Sequence, residues 1–354
     1  MAKRPELQSE ETTTEISQPT PLSAEARWEE ISKVSAALNK QFKSVPFVRM
    51  GEKKHAPVES FSTGLATLDY EVLGCGGIPK GRVVEVSGTE SSGKTTLCLH
   101  LVAQEQTRGN ICCYVDAEHS LDIQYAASLG VNTDDLLVSQ PDSGEEALSI
   151  VDALVRSKAT SLIIVDSVAA LVPRAELEGE FGESHMGLQA RLMSQAMRKL
   201  IGVAEQTRTT LIFINQIREK IGVIYGSNET SPGGRALKFY ASIRLDVRRR
   251  QPIKEGDKEI GHQVEIKAVK NKTGIPKKST MLDLYYPGES DITGFDRIGD
   301  LVAYAVHECV IEQKGAWFYY NGEKLGQGLA NTKAAIHENE ELRGRILAGI
   351  KEKK

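Results

Sequence analysis

The stretch "VEVSGTESSGKTTLCLH", Val84 to His100, decides how this chain is read. It joins an apolar β-type run, "RVVEV", to a helix-like segment through Gly88-Thr89-Glu90-Ser91-Ser92-Gly93-Lys94-Thr95, with Thr96 next. That string fits the phosphate-loop pattern G-x-x-x-x-G-K followed by Ser or Thr, and it lies between strand and helix as the pattern requires. The glycines let backbone N–H groups turn inward on a phosphate, and the helix N-terminus adds partial positive charge. Lys94 is expected to neutralise β- and γ-phosphate oxygens, and the Thr95 hydroxyl to ligate Mg²⁺. The cradle alone does not choose among transport, unwinding, signalling and assembly.

Outward from the loop, "ICCYVDAE", "SLIIVDS" and "TLIFIN" repeat the apolar strand type and alternate with helix-like stretches such as "GLQARLMSQAMRKLIGVAEQ". Apolar strands linked by helices predict an α/β fold with a mostly parallel central sheet. "IRLDVRRR" and "HQVEIKAVKN" are further strands, of alternating polarity. After about Gly294 the pattern becomes a helix, a hairpin "AWFYYNGEKLG" turning on Asn321-Gly322, and a last charged helix, predicting a small α+β domain. Residues 1–22, rich in Thr, Glu, Ser, Gln and Pro, are expected to form a disordered tail. Trp28, Ile31, Val34, Leu38 and Phe42 make one helical stripe within segment 23–55, to be buried either in the same chain or on a neighbouring copy. The expected division is thus 1–22, 23–55, a core over 56–293, and 294–354.

The chain has 354 residues, 40% hydrophobic and 26% charged, with a formal charge of −4, so nucleic acid would have to be met by locally gathered basic groups. No run approaches the roughly 20 apolar residues that span a bilayer, and the start has no apolar signal core, so the expected location is the cytoplasm with no membrane partner. The five cysteines, Cys75, Cys98, Cys112, Cys113 and Cys309, form no C-x-x-C pair and are read as small buried hydrophobes.

A nucleotide hydrolase needs a metal-side carboxylate and a group that activates water. Asp166, ending "SLIIVD", is the candidate for the first. Glu118 in "YVDAEHS" is the best candidate for the second, with Asp116 and His119 as rivals, because strand ends in such sheets converge on the ligand.

The segments "GTESSGKTTL", "YVDAEHSLD", "LIIVDSVAALVPRAELEGEFGESHMGLQARLMSQAMRKL", "INQIREKIGVIYG" and "GGRALKFYAS" together resemble the RecA family of bacterial homologous-recombination ATPases, in order and spacing, from about Ser23 onward. The resemblance implies a RecA-type core with an N-terminal polymerisation helix, ATP as the nucleotide, and Glu118 as the water-activating carboxylate. It also implies an adenine contact at Tyr125 with Asp122 beside it, and a γ-phosphate sensor at Gln216; Tyr286 is a further candidate nucleotide-binding residue. Lys270 and Lys272 in "VKNKTG" match lysines that reach a neighbour's ATP, and Phe239 matches an aromatic of the subunit contact. By the same resemblance the Trp28 to Phe42 helix packs on the adjacent core.

Two glycine-bearing loops, "EGEFGESHMG" and "REKIGVIYGSNETSPGGR", are too irregular for either period and are expected to bind DNA along a filament axis. Arg191, Arg198, Arg218 and Arg235 would neutralise phosphates, Gly233 and Gly234 would approach them through backbone N–H groups, and Met186 and Ile221 would wedge between bases. Sequence would then be read by base pairing alone.

Some features depart from the family pattern. Thr89 stands where proline is common, Arg235 replaces a small polar residue or lysine, and the chain ends in "GIKEKK" rather than an acidic tail. A phage- or plasmid-borne relative stays open, with stimulation of LexA-type repressor self-cleavage less firmly implied than recombination. The expected function is a DNA-dependent ATPase that forms helical filaments on single-stranded DNA, pairs it with homologous duplex DNA and exchanges strands. The alternatives are a hexameric helicase-like ATPase and an ATP-gated coat on DNA.

Overall fold

The computed structural model describes residues 23–42, 58–180, 187–219, 229–230 and 232–353. The tail expected over residues 1–22 lies outside them, as do Met186 and Ile221. Residues 1–57 and 58–354 are separate units. In the first, helix α1 (Ala24–Gln41) starts at Ser23, whose hydroxyl accepts from the Ala26 N–H at 3.3 Å. None of its residues is buried, and Trp28, Ile31 and Val34 are each about half exposed. Phe42, expected on the stripe, instead adopts an extended conformation just past the helix end.

In the second unit, a short pair of strands, β1 (Ser60–Phe61) and β2 (Ile78–Pro79), flanks a π-helical turn, Thr67–Leu73. The chain then enters the main sheet with β3 (Val83–Gly88), every residue of which is buried. Helix α2 (Lys94–Gln106) leads to β4 (Ile111–Asp116), α3 (Ile123–Ser128) and β5 (Leu136–Ser139). Helix α4 (Gly144–Ser157), β6 (Thr160–Asp166), the short α5 (Arg174–Leu177), α6 (Leu188–Thr207) and β7 (Thr210–Gln216) follow. Strands β8 (Arg218–Glu219) and β9 (Glu229–Thr230) pair antiparallel, and α7 (Ala236–Tyr240) leads into three long strands, β10 (Ile243–Glu255), β11 (Lys258–Asn271) and β12 (Ser279–Tyr285). With the two-residue β13 (Gly294–Phe295) they complete a nine-stranded sheet in the order β13-β12-β11-β10-β3-β7-β6-β4-β5.

From β10 to β5 the neighbours are parallel, and from β10 to β13 antiparallel. The division follows composition. Strands β3, β6 and β7 are covered on both faces and are largely apolar, β3 also burying Glu85 and Ser87, whereas β10 and β11 alternate buried and partly exposed residues. Edge strand β5 has no apolar-run signal, since "LLVS" is short and Leu137 and Val138 are half exposed.

Helices cover both faces. On one, α4 presents Ala147, Leu148, Val151 and Val155, and α6 presents Met193, Met197, Leu200 and Ala204, each a stripe of helical period set against Val165 and Phe213. On the other, α2 packs Leu97, Leu101 and Val102 against Val86, Ile164 and Ile214. His100 of α2 accepts the Phe295 N–H at 3.1 Å, tying the helix that follows the phosphate loop to β13. Burial, with a lesser push from Arg297, lowers its pKa to about 3, so the ring is a neutral acceptor.

The C-terminal part holds α8 (Arg297–His307), the antiparallel sheet β14 (Glu312–Lys314), β15 (Trp317–Tyr320) and β16 (Glu323–Gln327), then α9 (Gly328–Glu338) and α10 (Glu340–Glu352). The hairpin turns on Asn321 and Gly322, both at positive φ, as the Asn-Gly pair requires. Its core, built on Leu301, Ile336 and Ile346, also takes Ala66, just before the π-helical turn, and Asp300 accepts from the Thr67 N–H at 3.1 Å. Three cysteines are buried as expected, but Cys75 is half-buried and Cys309 is exposed at the turn after α8.

Candidate nucleotide site and its loops

Parallel pairing brings four strand ends side by side. Gly88 at the end of β3 is in register with Gln216 at the end of β7, and Asp116 of β4 with Asp166 of β6. Between β3 and α2 the loop wraps over Ser91 and Gly93, both at positive φ. At Gly88 an added Cβ would lie 2.2 Å from the Val247 carbonyl oxygen, so only glycine permits the approach of β10 there. The Lys94 ammonium folds back and donates to the Thr89 carbonyl at 2.6 Å. Burial pulls its pKa below the ordinary lysine value, against the attraction of Asp166 and Glu118, so an anion placed in the loop gains a poorly solvated cation.

Asp166 lies beneath the loop. Its Oδ2 accepts from the Thr95 hydroxyl at 3.2 Å and from the Tyr114 phenol at 2.5 Å. Burial raises its pKa, the Tyr114 hydrogen bond works against that rise, and the nearby Glu118 charge adds to it. A hydroxyl and a carboxylate meeting in this way are the hard oxygen donors that suit Mg²⁺. Among the described residues, no group of three or more His, Cys, Asp or Glu side chains gathers as a metal site by itself, so nucleotide oxygens would have to share the ion.

The rivals for water activation separate by what they already hold. Asp116 is fully buried and accepts from the Ser120 N–H at 3.1 Å, the Leu121 N–H at 3.2 Å and the Gln140 amide at 3.0 Å, so it anchors the turn after β4. His119 sits on that turn at positive φ. Glu118 is exposed, and its Oε1 accepts the Gln216 amide at 2.8 Å and the Ser167 hydroxyl.

A cavity of about 360 Å³ opens beside the loop, lined by Ser91 to Thr96, Tyr125, His262, Leu284, Tyr286 and Pro287. The Tyr125 hydroxyl is 2.8 Å from the Thr96 hydroxyl, and Asp122 caps α3 by accepting the Tyr125 N–H at 3.0 Å. Glu90 is exposed, and the Ser92 hydroxyl is buried without a partner.

Two expected catalytic residues are not brought to this cavity within the chain. Lys270 faces Arg244 in the ladder, which in turn pairs with Glu85, three residues before Gly88 and toward the other end of β3. The Lys270 ammonium donates to the carbonyls of Lys238 at 2.8 Å and Phe239 at 2.9 Å, closing α7, while Lys272 and Phe239 are exposed.

Of the expected DNA contacts, Arg191 and Arg198 lie on one exposed face of α6, and Arg235 is exposed at the start of α7. Backbone places Arg218 in the β8–β9 pair, which closes the base of a loop expected to be irregular; two residues per strand are too few to show a period. The Gly233 N–H is already engaged, donating to Gln189 Oε1 at 3.1 Å, and Gln189 in turn donates to the Val168 carbonyl at 2.8 Å. In this conformation Gly233 therefore offers no N–H to a phosphate, whereas Gly234 is exposed.

Comparison with known proteins settles the lineage. The RecA N-terminal domain model matches residues 29–290 and the RecA C-terminal domain model residues 299–354. The chain belongs to the RecA family. Protein RecA 2 of Myxococcus xanthus is 54% identical over 318 residues, 88% of this chain and 87% of that protein. Protein RecA of Arthrobacter sp. (strain FB24) is 53% identical over 318 residues, 90% and 89% of the two chains, and that of Frankia casuarinae 51% over 318 residues, 90% of each. A RecA-family chain is an ATP-binding recombination and repair protein whose ATPase depends on DNA. No helix among the described residues is long and apolar enough to cross a membrane.

Sequence reasoning missed Tyr114 and Ser167, which hold Asp166 and Glu118. The available signal for Tyr114 was a phenol inside a run of apolar residues, since a buried tyrosine hydroxyl needs a partner.

Proposed function

We propose that this RecA-family chain polymerises on single-stranded DNA in the cytoplasm with ATP and Mg²⁺, aligns the strand with homologous duplex DNA and exchanges strands, hydrolysis promoting release. Lys94 and the loop N–H groups of Gly88 to Thr96 hold the phosphates, and Thr95 and Asp166 hold Mg²⁺. The ion supplies charge neutralisation on the phosphate oxygens when bound. Glu118 takes a proton from the attacking water through the carboxylate oxygen not engaged by Gln216 and Ser167. Tyr125, Asp122 and Tyr286 orient the base. Lys270 and Lys272, remote from their own chain's phosphate loop, complete the site of a neighbouring copy, so that charge stabilisation depends on assembly.

The observation that supports this reading is the link between the phosphate loop and the loop after Gln216. Gln216 donates to Glu118, and the N–H of the next residue, Ile217, donates to the Gly88 carbonyl at 3.1 Å. The chain that leaves Gln216 runs directly into the loop closed by Arg218 and Thr230. A γ-phosphate between Lys94 and Gln216 therefore biases the loop that would grip DNA, and its loss removes the bias. Arg191, Arg198, Arg218 and Arg235 supply phosphate neutralisation, Gly234 a close backbone approach, and Met186 and Ile221 apolar wedges. The same ATP-bound filament is the species that would stimulate self-cleavage of a LexA-type repressor.

Negative-stain imaging with single-stranded DNA, with and without ATP, tests the proposal. Helical fibres that lengthen with ATP are expected. Closed rings or solitary particles indifferent to nucleotide would overturn it.

A further inference from the structure

One group in the nucleotide cavity is unaccounted for by any role above. His262 on β11 is 97% buried by its 3% exposure, lines the cavity, and has an Nε2 with no hydrogen-bond partner. Its other nitrogen is fixed by a chain of polar contacts. The Tyr286 hydroxyl donates to Glu259 Oε1 at 2.7 Å, and Arg249 holds the same carboxylate oxygen at 2.5 Å. Having given its only hydrogen to Glu259, the Tyr286 oxygen can only accept from His262 Nδ1, 3.1 Å away. The proton therefore sits on Nδ1, and Nε2, itself closed to solvent, keeps an unpartnered lone pair in the residue that lines the cavity. Burial, followed by the charge of Arg249, lowers the His262 pKa, which keeps the ring neutral and Nε2 an acceptor.

A buried acceptor without a donor costs free energy that a ligand can recover. We propose that His262 is a specificity-determining residue of the nucleotide site, its Nε2 accepting a hydrogen bond from the nucleoside, either a ribose hydroxyl or the exocyclic amine of the base. The inference rests on the nucleotide reading above and deepens it. Tyr286 then has two tasks, a ring against the base and a hydroxyl that sets the His262 tautomer. Losing the acceptor should weaken nucleoside recognition and leave phosphate recognition intact, since Lys94 and the loop are separate from the Glu259-Tyr286-His262 chain.

The test is calorimetric binding to the full chain of ATP, 2′-deoxy-ATP, 3′-deoxy-ATP, the triphosphate of purine riboside and inorganic tripolyphosphate. For the wild type, one analogue, the one lacking the paired donor, should bind about two- to tenfold more weakly than ATP. That arm identifies the donor as sugar or base. His262→Phe should bind ATP more weakly by a similar factor, lose the discrimination against that analogue, and bind tripolyphosphate as the wild type does. Tyr286→Phe, which keeps the ring and releases the tautomer, should reduce the same discrimination and serves if His262→Phe does not fold. Equal binding of ATP and all three analogues by the wild type, or full discrimination retained in either variant, would overturn the proposal. Wild type that binds neither ATP nor tripolyphosphate would instead reject the nucleotide reading on which it rests.

Discussion

Gln216 and Glu118, 98 residues apart in the chain, meet through a 2.8 Å hydrogen bond from the glutamine amide to one carboxylate oxygen. The bond, with that from Ser167, occupies Oε1 and leaves Oε2 for the proposed proton transfer. It also ties the two strand ends on which the proposed chemistry and the proposed DNA response depend.

Replacing Glu118 with Gln keeps the shape of the group and removes its basicity. ATP turnover should fall on the order of 10²- to 10⁴-fold. Nucleotide binding and filament formation should persist, giving a long-lived DNA-bound assembly. Steady-state hydrolysis alongside filament imaging checks this, and unaltered turnover would reject Glu118 as the base.

Gln216→Ala removes the donor between the two strand ends. ATP should still bind, because Lys94 and the phosphate loop are untouched. The tightening of DNA affinity by ATP, on the order of 5- to 150-fold for coupled sites, should shrink toward none. Fluorescence anisotropy of labelled single-stranded DNA with and without ATP measures it. Wild-type coupling in the variant would sink the sensor role.

Tyr114→Phe deletes the phenol that donates to Asp166. Burial already holds the Asp166 pKa above the ordinary aspartate value, and the Tyr114 bond opposes that rise, so its removal raises the pKa further. The carboxylate form, on which the proposed Mg²⁺ binding depends, is then lost at a higher pH as the solution is acidified. Mg²⁺-dependent ATP binding should fail earlier on the acid side than in the wild type, with a stability loss of about 1 kcal/mol. Binding titrations across pH decide it; coincident acid limbs would be the contrary result.

Lys270 and Lys272 should act on a neighbour. A filament mixed from Glu118→Gln and Lys272→Ala chains contains seams where an intact Glu118 meets an intact Lys272. Hydrolysis should exceed that of either variant alone. A mixture no more active than its components would place the lysines outside the catalytic seam.

How much was legible beforehand follows from which interactions are local. The phosphate loop, the long apolar strands, the Asn321-Gly322 hairpin and the stripe of α6 were readable because each depends on residues near in sequence. Strand β5 was not, since four residues, two of them half exposed, carry no periodic signal and form a strand only because β4 lies beside them. Cys309 was misjudged because burial belongs to the fold and not to the residue type. Choosing Glu118 over Asp116 from residue types alone was likewise open, and resemblance made the choice.

By itself the sequence determined an α/β chain with a phosphate cradle at a strand-to-helix turn, and family membership. Backbone conformation and amphipathic period are set by short stretches, so they survive reading in one dimension. Only tertiary structure decided that Asp116 is spent on its own turn while Glu118 meets Gln216, that the Gly233 N–H is engaged by Gln189, and that His262 keeps an unpaired acceptor. Each of those facts is a hydrogen-bond balance between groups far apart in the chain, and such a balance exists only once the strands that carry them are side by side.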